Sequence, residues 1–207
     1  MNEKDLRVVK TRQNIYNSLI ECIDKYPIKK ITVEKITEHA KINRSTFYKY
    51  YVDKFDLIDC YIKEVLDNFI KNVNSDFIRA SNNEIYNSVY HDYFKHILEF
   101  FKDNCKTYIT LWNANLEKNI YTEMLNTLQQ DILNIIHTDK AFNKSKDSYA
   151  TLYSYLFASN CMTTIRWWLE SYPEMSIDEV GLLMKNNMEN GFFQTYRSII
   201  DDKSLDK

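Results

Sequence analysis

Apolar residues recur every three or four positions along most of the 207-residue chain, a spacing typical of amphipathic helices rather than of strands. Only two glycines and two prolines are present, so few residues suit hairpin turns or bulges. The pattern therefore predicts an all-α protein of about nine helices. These are predicted over residues 4–25, 33–40, 44–51, a long segment from 54, 84–102, 106–112, 117–137, 147–171 and 177–200.

Several predicted helix ends carry capping residues. Thr32 is a good N-cap for the second helix, and Asp53 suits the start of the fourth. Ser176 and Glu179 have the spacing of a capping box at the start of the last helix. A polar stretch, residues 72–83, separates two helical patterns and marks a boundary. We therefore predict three segments: a first module over 1–54, a connecting helix and boundary over 55–83, and a second domain over 84–207.

Composition is that of a soluble globular protein, with 44% hydrophobic and 27% charged residues. The N-terminal stretch MNEKDLRVVK is charged where a secretory signal needs apolar residues, and no uncharged apolar run reaches membrane-spanning length. We therefore predict a cytoplasmic protein without membrane contact.

The sequence offers little for catalysis, metal binding or cofactor binding. The four cysteines form no C-x-x-C pair, and two distant glycines exclude phosphate-binding loops of the Walker or Rossmann type. His91 and His96 lie five apart without a flanking carboxylate motif, and Asp92 with His96 more commonly makes a surface hydrogen bond than a catalytic dyad. We predict no catalytic residue, no metal, no cofactor and no enzymatic activity.

The segment KINRSTFYKYYVDK, residues 41–54, holds four aromatic and four cationic side chains in fourteen positions. On a helical wheel, Phe47 and Tyr51 share one side, which can pack against the preceding helix. The other side carries only hydroxyls, phenols and cations, which are the groups that bind phosphates and base edges. The exposed set is Arg44, Ser45, Thr46, Tyr48, Lys49 and Tyr50.

Charge is divided unequally along the chain. Residues 1–54 hold 12 Lys and Arg against 7 Asp and Glu, whereas residues 55–207 hold 15 against 22. A basic N-terminal module favours nucleic acid as its partner. The alternative is a merely solvated basic face. The arrangement of a short helix, a three-residue turn and a second short helix favours DNA binding, since one helix crosses the backbone and the next enters the groove.

Residues 31–58, ITVEKITEHAKINRSTFYKYYVDKFDLI, resemble the helix-turn-helix of the TetR family of bacterial one-component regulators. The family pattern joins a helix ending in Ala to the core T-[FL]-Y-x-[HY]-[FY]-x-x-K. Six positions match this core: Thr46, Phe47, Tyr48, Tyr50, Tyr51 and Lys54. The resemblance implies a three-helix DNA-binding module, a C-terminal helical effector module, and a homodimer formed mainly by the last two helices.

The resemblance also implies roles for single residues. Phosphate contacts are implied for Thr32, Thr46, Tyr48 and Lys54. Base or groove contacts are implied for Arg44, Ser45, Lys49 and Tyr50. Lys41 stands where the family usually has glycine, and a left-handed backbone there costs a lysine on the order of 1 kcal/mol.

The second domain is rich in aromatic residues, which suit the lining of a pocket for a small apolar effector. The candidate lining is Tyr90, Phe94, Trp112, Tyr121 and Tyr153, with plain core packing as the alternative. Small residues in the last two helices permit close helix approach and are candidates for the dimer interface. They are Ala158, Ser159, Gly181 and Gly191, with isolated core positions as the alternative.

The resulting functional hypothesis is a transcriptional repressor. As a homodimer it would bind a palindromic operator in double-stranded DNA through residues 44–50, and an unknown small-molecule effector in the C-terminal domain would release it. The alternative is a DNA-binding coactivator or regulator that is controlled by a protein partner.

Overall fold

A computed structural model describes residues 3–73, 89–139 and 144–201 of the chain. Over these ranges the chain forms nine α-helices and no strand, which confirms the predicted all-α class. The helices are α1 (Glu3–Lys25), α2 (Val33–His39), α3 (Arg44–Phe47), α4 (Lys54–Asn72), α5 (Val89–Asp103), α6 (Cys105–Asn113), α7 (Ile120–Thr138), α8 (Asp147–Ser171) and α9 (Ile177–Asp201). Short 3-10 helices precede α2 and α8, at Ile28–Lys30 and Lys144–Lys146.

The capping residues lie where the sequence places them. Thr32 accepts a hydrogen bond at its side-chain oxygen from the N–H of Lys35 (3.2 Å). Oδ1 of Asp53 accepts from two N–H groups of the first turn of α4, at 2.8 and 2.9 Å. Ser176 and Glu179 bond reciprocally, with the N–H of Ser176 donating to the carboxylate at 2.7 Å and the N–H of Glu179 donating to Oγ at 3.2 Å. These bonds satisfy N–H groups that a helix start leaves without a partner.

The chain divides into two compact units. The first unit contains residues 3–69 and 106–124, so it combines the N-terminal helices with α6 and the first turn of α7. Its core is built from side chains of α1 to α4, α6 and α7 that are at most 1% exposed. Among them are Ile15, Tyr16, Leu19, Ile36, Phe47, Leu57, Tyr108, Leu111, Ile120 and Met124.

The second unit contains residues 70–73, 89–105, 125–139 and 144–201. Here α9 packs along α5, and both contact α8. Buried side chains include Phe94, Ile97, Phe101, Met162, Ile165, Trp168, Val180 and Met184. The indole N–H of Trp168 donates to the carbonyl of Met175 at 3.1 Å, which ties α8 to the turn before α9.

The predicted boundary at residue 83 and the start of the predicted helix at 84–88 lie outside the described residues. The other predicted boundary, at residue 54, falls at the first residue of α4. The division into 1–54, 55–83 and 84–207 stays a prediction.

Candidate nucleic-acid interface

The turn between α2 and α3 is closed by a Schellman motif. The N–H of Ile42 donates to the carbonyl of Thr37 (3.0 Å), and the N–H of Lys41 donates to that of Glu38 (3.2 Å). Lys41 has a φ of 54°, in the left-handed region that favours glycine. The strain predicted for a lysine at this position is therefore present, on the order of 1 kcal/mol.

The α3 helix, which carries three of the eight candidate DNA contacts, is shorter than the sequence predicts. The expected helix over residues 44–51 ends as an α-helix at Phe47, with Tyr48 as its C-cap. The chain then tightens, and the N–H of Tyr50 donates to the carbonyl of Phe47 at 2.9 Å. The N–H of Lys49 likewise donates three residues back, to the carbonyl of Thr46 at 3.3 Å, so bonds of the 3-10 type replace α-helical ones at Lys49 and Tyr50.

All eight predicted contact residues lie in this helix-turn-helix and in the first turn of α4. Thr32, Arg44, Ser45, Tyr48 and Lys49 are exposed, whereas Thr46, Tyr50 and Lys54 are half-buried. Phe47 and Tyr51 are buried, as the helical wheel predicts. The division of the aromatic side chains between core and surface is thus confirmed, and the contacts of the eight residues with DNA stay a prediction.

Three tyrosines and Phe47 hold α3 against α1 and α4. The ring of Tyr51 lies 5.6 Å from that of Phe47 and 6.2 Å from that of Tyr16, while Tyr16 lies 4.5 Å from Tyr61, centroid to centroid. Rings at such distances attract one another beyond the burial of their area. The short α3 is therefore positioned by its ring contacts, because four helical residues are too few to be stable alone.

Arg12 of α1 extends this cluster toward the surface. Its Nη2 donates to the Tyr16 hydroxyl at 2.9 Å and lies 3.3 Å from Oε2 of Glu64 on α4. Burial raises the pKa of Tyr16, so its hydroxyl stays protonated at physiological pH. A polar cross-link between α1 and α4 thus adjoins the aromatic cluster.

An ion pair that the sequence does not reveal crosses the interface. A terminal guanidinium nitrogen of Arg44, the first residue of α3, contacts Oε1 of Glu34 in the first turn of α2. Both side chains remain more than half exposed, at 57% and 59%. The surface around the candidate base contacts therefore includes a carboxylate, contrary to the expectation from the helical wheel of α3 alone.

Lys54 has an internal role in addition to the implied phosphate contact. Its ammonium donates to the carbonyls of Ile28 (2.9 Å) and Ile31 (2.8 Å), on the two sides of the turn that leads into α2. Two of its three N–H donors are thereby used within the chain. The first turn of α4 is thus fixed to the start of the helix-turn-helix.

We expect Lys54→Met to lower the free energy of unfolding by about 1–2 kcal/mol, because two bonds from a charged donor are lost. Binding to DNA should weaken on every sequence, with a smaller dependence on salt. Chemical denaturation and binding titrations over a salt series measure the two effects. The same change at exposed Lys49 is the control and should leave stability unchanged; equal stability of both variants would contradict the internal role.

The predicted effector residues are divided between the two compact units. Trp112 and Tyr121 lie in the first unit with ring centroids 5.6 Å apart, and the Trp112 indole N–H faces Sδ of Met124 at 3.4 Å. Phe94 is fully buried in the second unit, whereas Tyr153 is 63% exposed on α8. The side chain of Tyr90 lies outside the described residues. Trp112 and Tyr121 therefore lie side by side within the first unit, and the pocket as a whole stays a prediction.

A cleft of about 520 Å³ lies elsewhere in the first unit. It is bordered by residues 23–29, at the end of α1, and by residues 113–115, at the end of α6. No predicted effector residue lines it.

The four small residues predicted for the dimer interface differ in their surroundings. Ala158 is fully buried within its own chain, and Ser159 is half-buried. A Cβ at Gly181 would lie 3.7 Å from Cδ1 of Leu98, so this glycine already packs against α5. Gly191 has φ 73° and ψ 169° at a kink of α9, a conformation essentially restricted to glycine. Their part in an interface stays a prediction.

Within the described part of the chain, no three His, Cys, Asp or Glu side chains are grouped so as to hold a metal ion. The four cysteines are free thiols, and burial raises the pKa of Cys161. Among the helices of that same part, none is long and apolar enough to cross a membrane.

The C-terminal part of the chain matches a known family model. Residues 88–190 match a TetR-type family model described as "Transcriptional regulator C-terminal region". Comparison with curated proteins gives no match.

Solved structures share the fold at low identity. A TetR transcriptional regulator from Streptococcus agalactiae is 21% identical, with a TM-score of 0.55 over 88% of this chain and 96% of that one. The regulator FadR from Bacillus subtilis, solved in complex with stearoyl-CoA, is 16% identical, with a TM-score of 0.57 over 87% and 98%. The dihydroxyacetone kinase operon activator DhaS is 18% identical, with a TM-score of 0.55 over 85% and 92%.

Proposed function

Since the chain belongs to the TetR family of transcriptional regulators, we propose that it binds a palindromic operator as a homodimer and represses transcription until an effector releases it. The observation that carries this proposal is the helix-turn-helix surface. The predicted contact residues that are exposed carry hydroxyls, a phenol or cations, and the rings of Phe47 and Tyr51 behind them are buried. Such groups donate to phosphates and to base edges in the major groove.

Arg44 and Lys49 are the candidates for reading bases. Arginine and lysine donate to O6 and N7 of guanine, and these contacts discriminate between base pairs. We expect Arg44→Ala or Lys49→Ala to weaken operator binding about tenfold to a hundredfold and binding to random DNA much less. Titration of labelled operator and of a scrambled duplex of equal length measures this. Equal losses on both duplexes would contradict base reading.

An exposed apolar stripe on α8 supports the homodimer. The stripe consists of Tyr149, Leu152, Tyr153 and Leu156, which follow helical spacing and are each 51–63% exposed. The opposite side of α8 is buried in the chain through residues such as Ala158, Cys161 and Ile165. Large apolar side chains exposed together on one helix are typical of an interaction site. A two-fold interface on this stripe would pair two recognition helices on the two halves of a palindrome.

The effector is the second part of the proposal. The acyl-CoA complex of the FadR neighbour makes long-chain acyl-CoA the first class of small molecule to test. The operon activator among the structural neighbours favours transcriptional activation as a second candidate function. Control by a protein partner stays the alternative to a small-molecule effector.

The test is a titration of the purified protein against sheared genomic DNA, with sequencing of bound fragments and a salt series on the leading site. Enrichment of a short palindrome with a steep salt dependence would support the regulator. An absence of enrichment at low salt would contradict operator binding by the protein alone. Addition of acyl-CoA or of a cell extract to the bound complex then separates a small-molecule effector from a protein partner.

A further inference from the structure

The Arg44–Glu34 pair is the feature of the interface that DNA binding alone does not explain. It joins the first turns of α2 and α3, on the surface that carries the candidate base contacts. Over the described residues the structure shows no ion pair for the other cations of this surface, Lys41 and Lys49. The carboxylate thus acts on one cation selectively.

We propose that Glu34 is a positioning residue that aims Arg44 at a base and withholds it from phosphates, so that it sets sequence discrimination. The inference rests on the proposed operator binding. One terminal nitrogen of the guanidinium meets Glu34, and a planar guanidinium has five N–H donors in all. The remaining N–H donors of the Arg44 guanidinium can therefore bind O6 and N7 of a guanine, while the contact with Glu34 holds the group in one orientation.

The charge of Glu34 explains how Arg44 is withheld from phosphates. An unpaired Arg44 would bind any phosphate and so strengthen binding to every sequence. Paired with Glu34, the guanidinium is locally neutralised, and the carboxylate repels phosphates that approach it. Both side chains are more than half exposed, so DNA can reach the pair as it stands. The pair thus disfavours a contact that carries no sequence information.

The experiment compares Glu34→Gln with the full-length wild type on the leading genomic site and on a scrambled duplex of equal length. Glutamine has nearly the same shape as glutamate but lacks the negative charge that holds the Arg44 guanidinium. We expect affinity for the genomic site to fall, affinity for the scrambled duplex to rise, and their ratio to fall about fivefold, which is the scale of an exposed ion pair. The salt dependence on scrambled DNA should steepen by about one phosphate contact.

Glu38→Gln is the matched control. Glu38 is exposed on the same helix, one turn after Glu34, and its substitution by glutamine removes the same negative charge. It should change both affinities by the same factor and leave their ratio unaltered. In an Arg44→Ala background, Glu34→Gln should cause no further loss of the ratio. A thermal melt of each variant checks that α2 stays folded.

The outcomes separate the two proposals. If Glu34→Gln behaves as Glu38→Gln does, Glu34 is a plain surface charge and the inference is overturned while operator binding stands. A higher ratio in Glu34→Gln overturns it as well. Wild type without preference for any site overturns both proposals.

Discussion

Phe47→Ala is expected to lower the free energy of unfolding by about 3–5 kcal/mol and to abolish selective DNA binding. The ring of Phe47 is 0% exposed and lies 5.5 Å from the ring of Tyr48 and 5.6 Å from that of Tyr51. The cost is large because two losses add: the free energy of burying the ring is lost, and a cavity is left beneath a helix of only four residues. Denaturant unfolding followed by circular dichroism measures the stability.

Phe55→Ala is the control for this result, since the same substitution is made at a ring that is 57% exposed. Its cost should stay below about 1 kcal/mol. Similar losses for the two variants would show that Phe47 does not anchor the module.

Leu156→Glu is expected to convert the dimer to a monomer and to reduce operator affinity at least a hundredfold. Leu156 belongs to the exposed stripe of α8, and a two-fold interface would bring two introduced carboxylates into one desolvated patch. A dimer binds both half-sites of the palindrome at once, whereas a monomer binds only one. The monomer therefore loses the affinity that the second half-site adds. Sedimentation at micromolar concentration and operator titration measure both effects.

The control uses Ile70→Glu on α4, because Ile70 is 50% exposed and Leu156 is 51% exposed. It should remain a dimer and bind the operator as the wild type does. A wild type that sediments as a monomer, or a dimeric Leu156→Glu, would rule out the stripe as the interface.

Features governed by local chain chemistry could be predicted from the sequence. Helix α8 spans Asp147–Ser171, as predicted, and Ser176 with Glu179 caps α9. Capping depends on residues three positions apart, so its signal is fully contained in the sequence. The buried positions of Phe47 and Tyr51 follow in the same way from helical periodicity.

Contacts between separate elements could not be predicted in this way. Glu34 and Arg44 lie ten residues apart on two helices, and their pairing depends on the angle of the turn between them. The bonds from Lys54 to carbonyls of residues 28 and 31 likewise require the folded backbone.

The exposed stripe of α8 could not be predicted for a different reason. Helix α8 carries apolar residues on nearly every side, so periodicity does not show which side the chain itself covers. Small residues are therefore the markers of an interface that the sequence offers. The structure buries Ala158 and exposes Tyr153 and Leu156.

The first compact unit has a consequence for how this protein can be cut or recombined. It includes residues 106–124, which are separated from residues 1–69 by the 36 positions of residues 70–105. Tyr108 and Leu111, each 1% exposed, complete its core, and Thr107 lies beside the hydroxyl of Tyr61 on α4. A truncation after α4 would strip this covering from Tyr61 and its neighbours and leave an apolar surface prone to aggregation. Chimaeras that exchange the C-terminal part of the chain therefore need to keep α6 and the start of α7 together with their own N-terminal helices. Swaps between family members at a single crossover near residue 83 would join mismatched halves of one core.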